Sequence, residues 1–251
     1  MLTVSTAHNA IAQRMKAEQG GDMNLLGMFA RCPEPGKTKT RLAATIGDTA
    51  AAELYAAFVD DLAQRCPSLA DCFLLAVTPD EQATADWFQP RLQSNSRLVF
   101  QPTGDLGQRI DCFFRQAADL GAKRIVLVGS DSPDLPDAII ESAFQRLQHV
   151  DVVISPATDG GYVLIGLRQP RPELFAGIRF SAPTTLSETL AAASQRGLTV
   201  ELLQPWYDID VAENLGTLLS LQTAQGSGAA DCPATLAVLQ RLWPRISTVM
   251  E

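Results

Sequence analysis

The chain reads as an α/β protein, a three-layer α/β/α sandwich around a mostly parallel central sheet, and three observations lead there. Short apolar runs rich in β-branched residues alternate with amphipathic stretches along most of its 251 residues. One run, Ile125 to Val128, is apolar at every position, as a strand buried on both faces must be. That run stops abruptly at Gly129-Ser130-Asp131. In an open parallel sheet, ligands sit beyond the carboxyl ends of the strands, so Asp131 stands where a metal or a substrate would be.

Composition narrows the class. Hydrophobic residues make up 46% of the chain and charged residues 19%, enough apolar material for one large core. A net charge of -8 speaks against non-specific nucleic-acid binding or attachment to an anionic membrane, and no apolar run approaches a membrane span. The expected partner is a small molecule. Cys32, Cys66, Cys72, Cys112 and Cys232 are odd in number and form no C-x-x-C pair, which suggests reduced thiols in a cytoplasm. With only His8 and His149, a zinc site or a Ser-His-Asp triad has little material. Residues 1–22 lack the regions of a signal peptide and read as a flexible N-terminal extension, leaving 23–251 as a single domain.

The elements follow in order. Leu25 to Phe29 is a first buried strand, and the prolines and glycine after it force a loop that feeds a helix containing Arg41 and Leu42. Arg31, Lys37, Lys39 and Arg41 crowd into that loop with only Glu34 to offset them. The spacing of the last three would let an extended backbone aim them at one polyphosphate; the competing reading is a solvated basic turn. A P-loop is disfavoured, because Arg31 occupies the position of its first glycine and Pro33 and Pro35 replace flexible positions. Thr49 to Cys66 is a core-packing helix, Cys72 to Val77 a second strand, Ala83 to Phe88 a short helix and Leu98 to Gln101 a third strand. Gly104 and Asp105 open an amphipathic helix through Ala118, in which Asp105 is an N-cap or, with Gly104 and Arg109, a nucleotide contact.

Beyond the central strand, Pro136 begins a helix that runs to about Leu147, Val150 to Pro156 is a strand, and Asp159-Gly160-Gly161-Tyr162 leads into another at Val163 to Leu167. The paired glycines let backbone approach a sugar or acceptor together with Tyr162, or simply make a tight turn. A helix over 183–195, a strand over 198–203, a helix over 211–222 and a last helix over 234–243 complete the chain. Asp208 and Asp210, two apart, can share one cation if the backbone is extended, and Asp210 can equally cap the helix behind it. A polyphosphate beside these carboxylates calls for a divalent cation, Mg2+ or Mn2+, since two like charges 4 Å apart at an effective dielectric of ~20 repel by about 4 kcal/mol.

Four segments carry a family resemblance: Phe29 to Leu42, Gly104 to Gly107, Gly129 to Pro136 and Asp159 to Tyr162. In this order they resemble the bacterial GT-A-like transferases associated with radical-SAM, selenodomain and arsenosugar-biosynthesis proteins, relatives of the nucleotide-diphospho-sugar transferases. The resemblance implies a GT-A fold, with a nucleotide half and a sugar and acceptor half, Asp131 in the place of the metal-binding acidic motif, and Asp210 as the late aspartate that helps hold the metal. Arg179-Phe180-Ser181-Ala182 and Val211 to Leu215 depart from the family pattern. The expectation is a metal-dependent glycosyltransferase using a nucleotide-sugar donor and a small acceptor. In it Arg31, Lys37, Lys39, Arg41 and Ser130 hold the nucleotide and its phosphates, and Asp159 is the base. The alternatives are a nucleotidyltransferase joining an NTP to a phosphorylated acceptor, and a non-catalytic nucleotide-sugar-binding protein. The loop lacks the Gly-x-Gly/Ser-x-Arg-Met pattern associated with the nucleotidyltransferases, which favours sugar transfer.

Overall fold

The computed structural model describes residues 22–224 and 228–250, so the expected extension falls outside it but for Asp22. Seven strands, β1 (Asn24–Arg31), β2 (Cys72–Thr78), β3 (Ser96–Phe100), β4 (Arg124–Gly129), β5 (Val152–Pro156), β6 (Tyr162–Leu167) and β7 (Val200–Leu202), form one sheet in the order β3-β2-β1-β4-β6-β5-β7. All neighbours are parallel except β6, which runs antiparallel to both β4 and β5. The strand order reverses between β1 and β4, so the segments leaving these two strands diverge to opposite sides and open a crevice between them. Both the basic loop and Asp131 lie at that crevice.

Among the described residues eight helices cover the sheet: α1 (Thr40–Ile46), α2 (Asp48–Arg65), α3 (Gln82–Phe88), α4 (Leu106–Asp119), α5 (Asp137–Arg146), α6 (Thr185–Gln195), α7 (Ala212–Thr223) and α8 (Pro233–Met250). Alternation along each strand divides the apolar residues between two cores. Leu26, Met28 and Ala30 of β1, with Phe73 and Leu75 of β2, face Leu54, Phe58 and Leu62 of α2. Leu25, Cys72 and Leu74 face the other way, against Ile110, Phe113 and Phe114 of α4. Gly27 is required on this second face: a Cβ there would lie 2.0 Å from the Phe113 ring. Ile125 to Val128 are buried at every position, as a strand covered on both faces requires.

Most boundaries move by one or two residues from the sequence reading, and two of the shifts have a physical reason or a structural consequence. The last strand shrinks from 198–203 to Val200–Leu202, because it is an edge strand paired on one side only, with β5. The last helix does not stop before Pro244 but runs through it to Met250. Its start is fixed from another layer: the buried carboxylate of Asp61 accepts from the amides of Ala234 (2.9 Å) and Thr235 (2.8 Å), satisfying two otherwise orphaned donors. The five cysteines are free thiols, and burial pushes those of Cys66 and Cys232 up to about 12.

Candidate functional site

The loop after β1 is folded tightly rather than extended. Gly36 takes φ 77°, and buried Thr38 receives the Glu34 amide at 3.1 Å while its hydroxyl donates to the Cys32 carbonyl at 3.3 Å. Arg31 braces the turn by donating from Nη1 to the Lys37 carbonyl at 3.1 Å. The three cations therefore diverge. Lys37 lies 70% exposed and pairs with Glu34 at 2.7 Å, Arg41 projects from the first turn of α1, and Lys39 turns inward with its side chain 5% exposed. Lys39 does so by adopting a left-handed backbone, φ 51° and ψ 47°, at the N-cap of α1. All four basic residues still line one cleft of about 500 Å3, together with Tyr55, Asp131 and Asp210.

At the end of β4, Asp131 and Asp210 come together across Lys39. Its Nζ lies 2.7 Å from Asp131 Oδ1 and 2.8 Å from Asp210 Oδ1, while the two carboxylates keep 42% and 39% of their side chains exposed. Burial, the largest influence on the Lys39 ammonium, acts to lower its pKa; the charges and hydrogen bonds of the two carboxylates together outweigh it and hold it above the ordinary value. The two loops are fixed relative to each other by the Ile209 amide, which donates to the Asp131 carbonyl at 2.9 Å. Asn214 Oδ1 receives the amides of Asp210 and Val211 at 3.1 Å, so Asn214 rather than Asp210 caps the start of α7. Asp208 accepts from the Ser132 hydroxyl, whose Oγ lies 2.8 Å from its Oδ1, and burial followed by the nearby Asp131 charge pushes its carboxyl up to about 6.

A second cleft of about 480 Å3 adjoins the first, sharing Arg41, Asp131, Ser181 and Asp210 with it. Its volume is ordinary for a small-molecule site. Phe29, Leu106, Ile110 and Phe180 give it an apolar wall, and Asp159, Gly161 and Tyr162 reach it from the β5–β6 hairpin. Asp159 is exposed and accepts from the Gly161 amide at 2.9 Å. Gly160, at φ 93°, packs so closely that a Cβ would lie 2.3 Å from the Pro183 carbonyl oxygen. Gly104, Asp105 and Arg109 serve their own turn: Asp105 and Gln108 form a reciprocal capping box, and Arg109 Nε donates to the Gly104 carbonyl at 3.1 Å.

Sequence reasoning passed over two supports. Tyr55, on a helix read as core packing, receives the Arg31 amide at 2.9 Å and meets the buried Ser130 Oγ at 2.7 Å, tying the basic loop to the β4 end. Arg65 donates to the carbonyls of Pro133 and Leu135 at 3.0 Å and pairs with Asp137, clamping the turn after Asp131. Helical periodicity marks such residues as inward-facing but is silent on what their polar ends reach.

Among the described residues no three His, Cys, Asp or Glu side chains come together as a metal cage. Mg2+ does not need one, since it is commonly bound by one or two carboxylates plus substrate phosphates. The partly exposed Asp131 and Asp210, beside a basic cleft, fit that donor set.

Residues 62–182 match a family profile described as "Uncharacterized protein conserved in bacteria (DUF2064)". A 2-phospho-L-lactate guanylyltransferase of Methanothermobacter thermautotrophicus is 26% identical over 188 residues, 72% of this chain and 78% of the relative. The crystal structure of a Desulfovibrio desulfuricans G20 protein, provisionally named a nucleotide-diphospho-sugar transferase, superimposes with a TM-score of 0.82 at 32% identity. The match covers 90% of this chain and 97% of that one. A cytidylyltransferase from Leptospira borgpetersenii shares the fold at a TM-score of 0.54 and 13% identity, over 90% of this chain and 97% of its own. None of these proteins carries a radical-SAM or arsenosugar name.

Proposed function

We propose that this chain, which belongs to the same family as the Desulfovibrio protein and carries the DUF2064 match across its middle, is a nucleotidyltransferase joining an NTP to a small phosphorylated acceptor. The observation that carries the reading is the pair of adjoining clefts, one basic and one largely apolar-walled, that meet at Asp131 and Asp210. The choice between donors is weighted by the guanylyltransferase relative, and it reverses the preference for sugar transfer drawn from the loop. An oxygen of the acceptor phosphate attacks the α-phosphorus, the bond to the β-phosphate oxygen breaks, and pyrophosphate leaves. Charge balances without removal of a proton, so this chemistry asks nothing of Asp159 as a base.

Asp131 and Asp210 would hold a divalent cation, which supplies charge neutralisation for the nucleotide phosphates. Arg31, Lys37 and Arg41 bind those phosphates from the basic cleft, and Tyr55 keeps the loop that carries Arg31 and Lys37 in register with β4. Phe29, Leu106, Ile110 and Phe180 exclude water from the adjoining cleft.

The name of the Desulfovibrio protein supports a second reading, transfer of a sugar from a nucleoside-diphosphate donor. One experiment separates the two. The protein is incubated with Mg2+ and each NTP together with 2-phospho-L-lactate or other small phosphate esters, and separately with nucleotide sugars and hydroxylic acceptors. Pyrophosphate release that depends on both NTP and phosphate ester supports nucleotidyl transfer, and release of a nucleoside diphosphate from a nucleotide sugar supports the second reading. Asp159→Ala sharpens the result. A loss under about fivefold fits a phosphate nucleophile, whereas a hydroxyl acceptor that needs a base would lose about 100-fold or more.

A further inference from the structure

We infer that Lys39 is a built-in cation of this site, which occupies the carboxylate pair in the free protein and makes the divalent metal ion enter together with the nucleotide rather than before it. The inference rests on the reading that Asp131 and Asp210 take a divalent cation. Its observations are independent of which group is transferred.

Lys39 lies two residues from Lys37 and from Arg41, which stay exposed, yet it is buried beneath the site and its ammonium sits within 2.8 Å of one oxygen from each carboxylate. Sequence patterning would assign it to phosphate. Instead its left-handed backbone sends the side chain under the carboxylates, whose exposed portions remain on the cleft side. In the free protein the Lys39 ammonium offsets one of the two carboxylate charges, which weakens their hold on Mg2+ or Mn2+ when no phosphate is present. A bound polyphosphate adds several negative charges and oxygen ligands, and the metal ion then has a site. Lys39 is thus a positioning residue: it holds the two carboxylates at one spacing without contacting the reacting atoms. Arg41, 4.0 Å from Asp210 and 75% exposed, is a natural control for a charge near the site that does not bridge it.

The test measures Mn2+ binding by calorimetry and by the paramagnetic resonance of free Mn2+, without nucleotide and with GTP or CTP. Wild-type protein is expected to bind Mn2+ weakly alone and much more tightly with nucleotide. Lys39→Met is expected to bind Mn2+ alone at least about tenfold more tightly, Lys39→Arg to resemble wild type, and Arg41→Met to change by less than about threefold. Equal gains in Lys39→Met and Arg41→Met, or none in Lys39→Met, would overturn the role of Lys39. Thermal denaturation of the wild type gives a check that does not depend on a variant folding: Mn2+ must raise Tm only when nucleotide is present, and a rise with Mn2+ alone overturns the inference. Absence of Mn2+ binding with every nucleotide would instead overturn the metal reading beneath it.

Discussion

Asp131 and Asp134 stand three residues apart on one turn, yet the fold uses them in opposite ways. Asp131 keeps 42% of its side chain exposed and shares an ammonium with Asp210 at the mouth of two clefts. Asp134 is 0% exposed and accepts from Trp206 Nε1 at 3.1 Å and from the Tyr207 hydroxyl at 2.7 Å. Its backbone carbonyl also receives the Ala230 amide at 3.0 Å. Asp134 fastens the β4 turn to the segment that carries Asp208 and Asp210, so one carboxylate holds the frame in which the other is presented. A sequence motif containing both cannot be treated as one functional unit.

The largest expected effect falls on the presented carboxylate. Asp131→Ala should lower turnover by at least about a hundredfold, the scale of losing a preorganised electrostatic contact, with Tm close to that of wild type. Equal losses in activity and Tm would erase the contrast with Asp134. Asp134→Ala should do the reverse. Leaving two buried donors unpaired costs roughly 2–5 kcal/mol in urea unfolding, while the folded fraction turns over at near the wild-type rate. Tyr55→Phe lies between them: about 1 kcal/mol of stability and a few-fold rise in nucleotide KM are expected, because only the tie between the loop and Ser130 is cut.

The smallest effect is a pH dependence. Burial holds the Asp134 carboxyl above its ordinary value, against the opposing hydrogen bonds of Tyr207 and Trp206. A raised carboxylate contributes stability that is fully present below the unfolded pKa of 3.8 and is lost as pH rises through the folded value. Urea unfolding of wild type against Asp134→Asn should therefore show the wild-type margin shrinking as pH is raised from below 3.8 toward neutrality. A margin independent of pH would show that the two proteins titrate alike.

The layers and most elements were legible because the apolar runs are long and their periods unambiguous, as Ile125 to Val128 and the inward stripe of Ile110, Phe113, Phe114 and Ala117 illustrate. The direction of β6 was not, since Val163 to Leu167 is apolar throughout and reads the same whichever way it runs. The residues that meet at the site were found by type and by their place at strand ends, but their aim was not. Spacing of two implies a shared direction only on extended backbone, and the positive φ angles at Gly36 and Lys39 break that premise. Asp208 shows a related limit: it lines one cleft together with Asp131 and Asp210, and spacing did not reveal that the Ser132 hydroxyl holds its carboxylate. Tyr55 is hidden by its own periodicity, since a buried tyrosine on a core stripe looks like any other large apolar residue.

The reversal of β6 has a consequence for how the molecule can vary. Because β5 ends and β6 begins at the end of the sheet where β4 ends, residues 157–161 form a hairpin that reaches the apolar-walled cleft. This hairpin carries no crossover helix, and its length can change without altering the register of the strands it joins. It is also fastened sideways: the Gly160 carbonyl receives the Leu186 amide at 2.9 Å, which couples it to the first turn of α6. Insertions at its tip would therefore reshape the roof of one chamber and leave the basic loop anchored by Tyr55 and Ser130. The apolar-walled cleft is the adjustable room of this protein, and grafting at 158–159 is the way to refit it for a different guest.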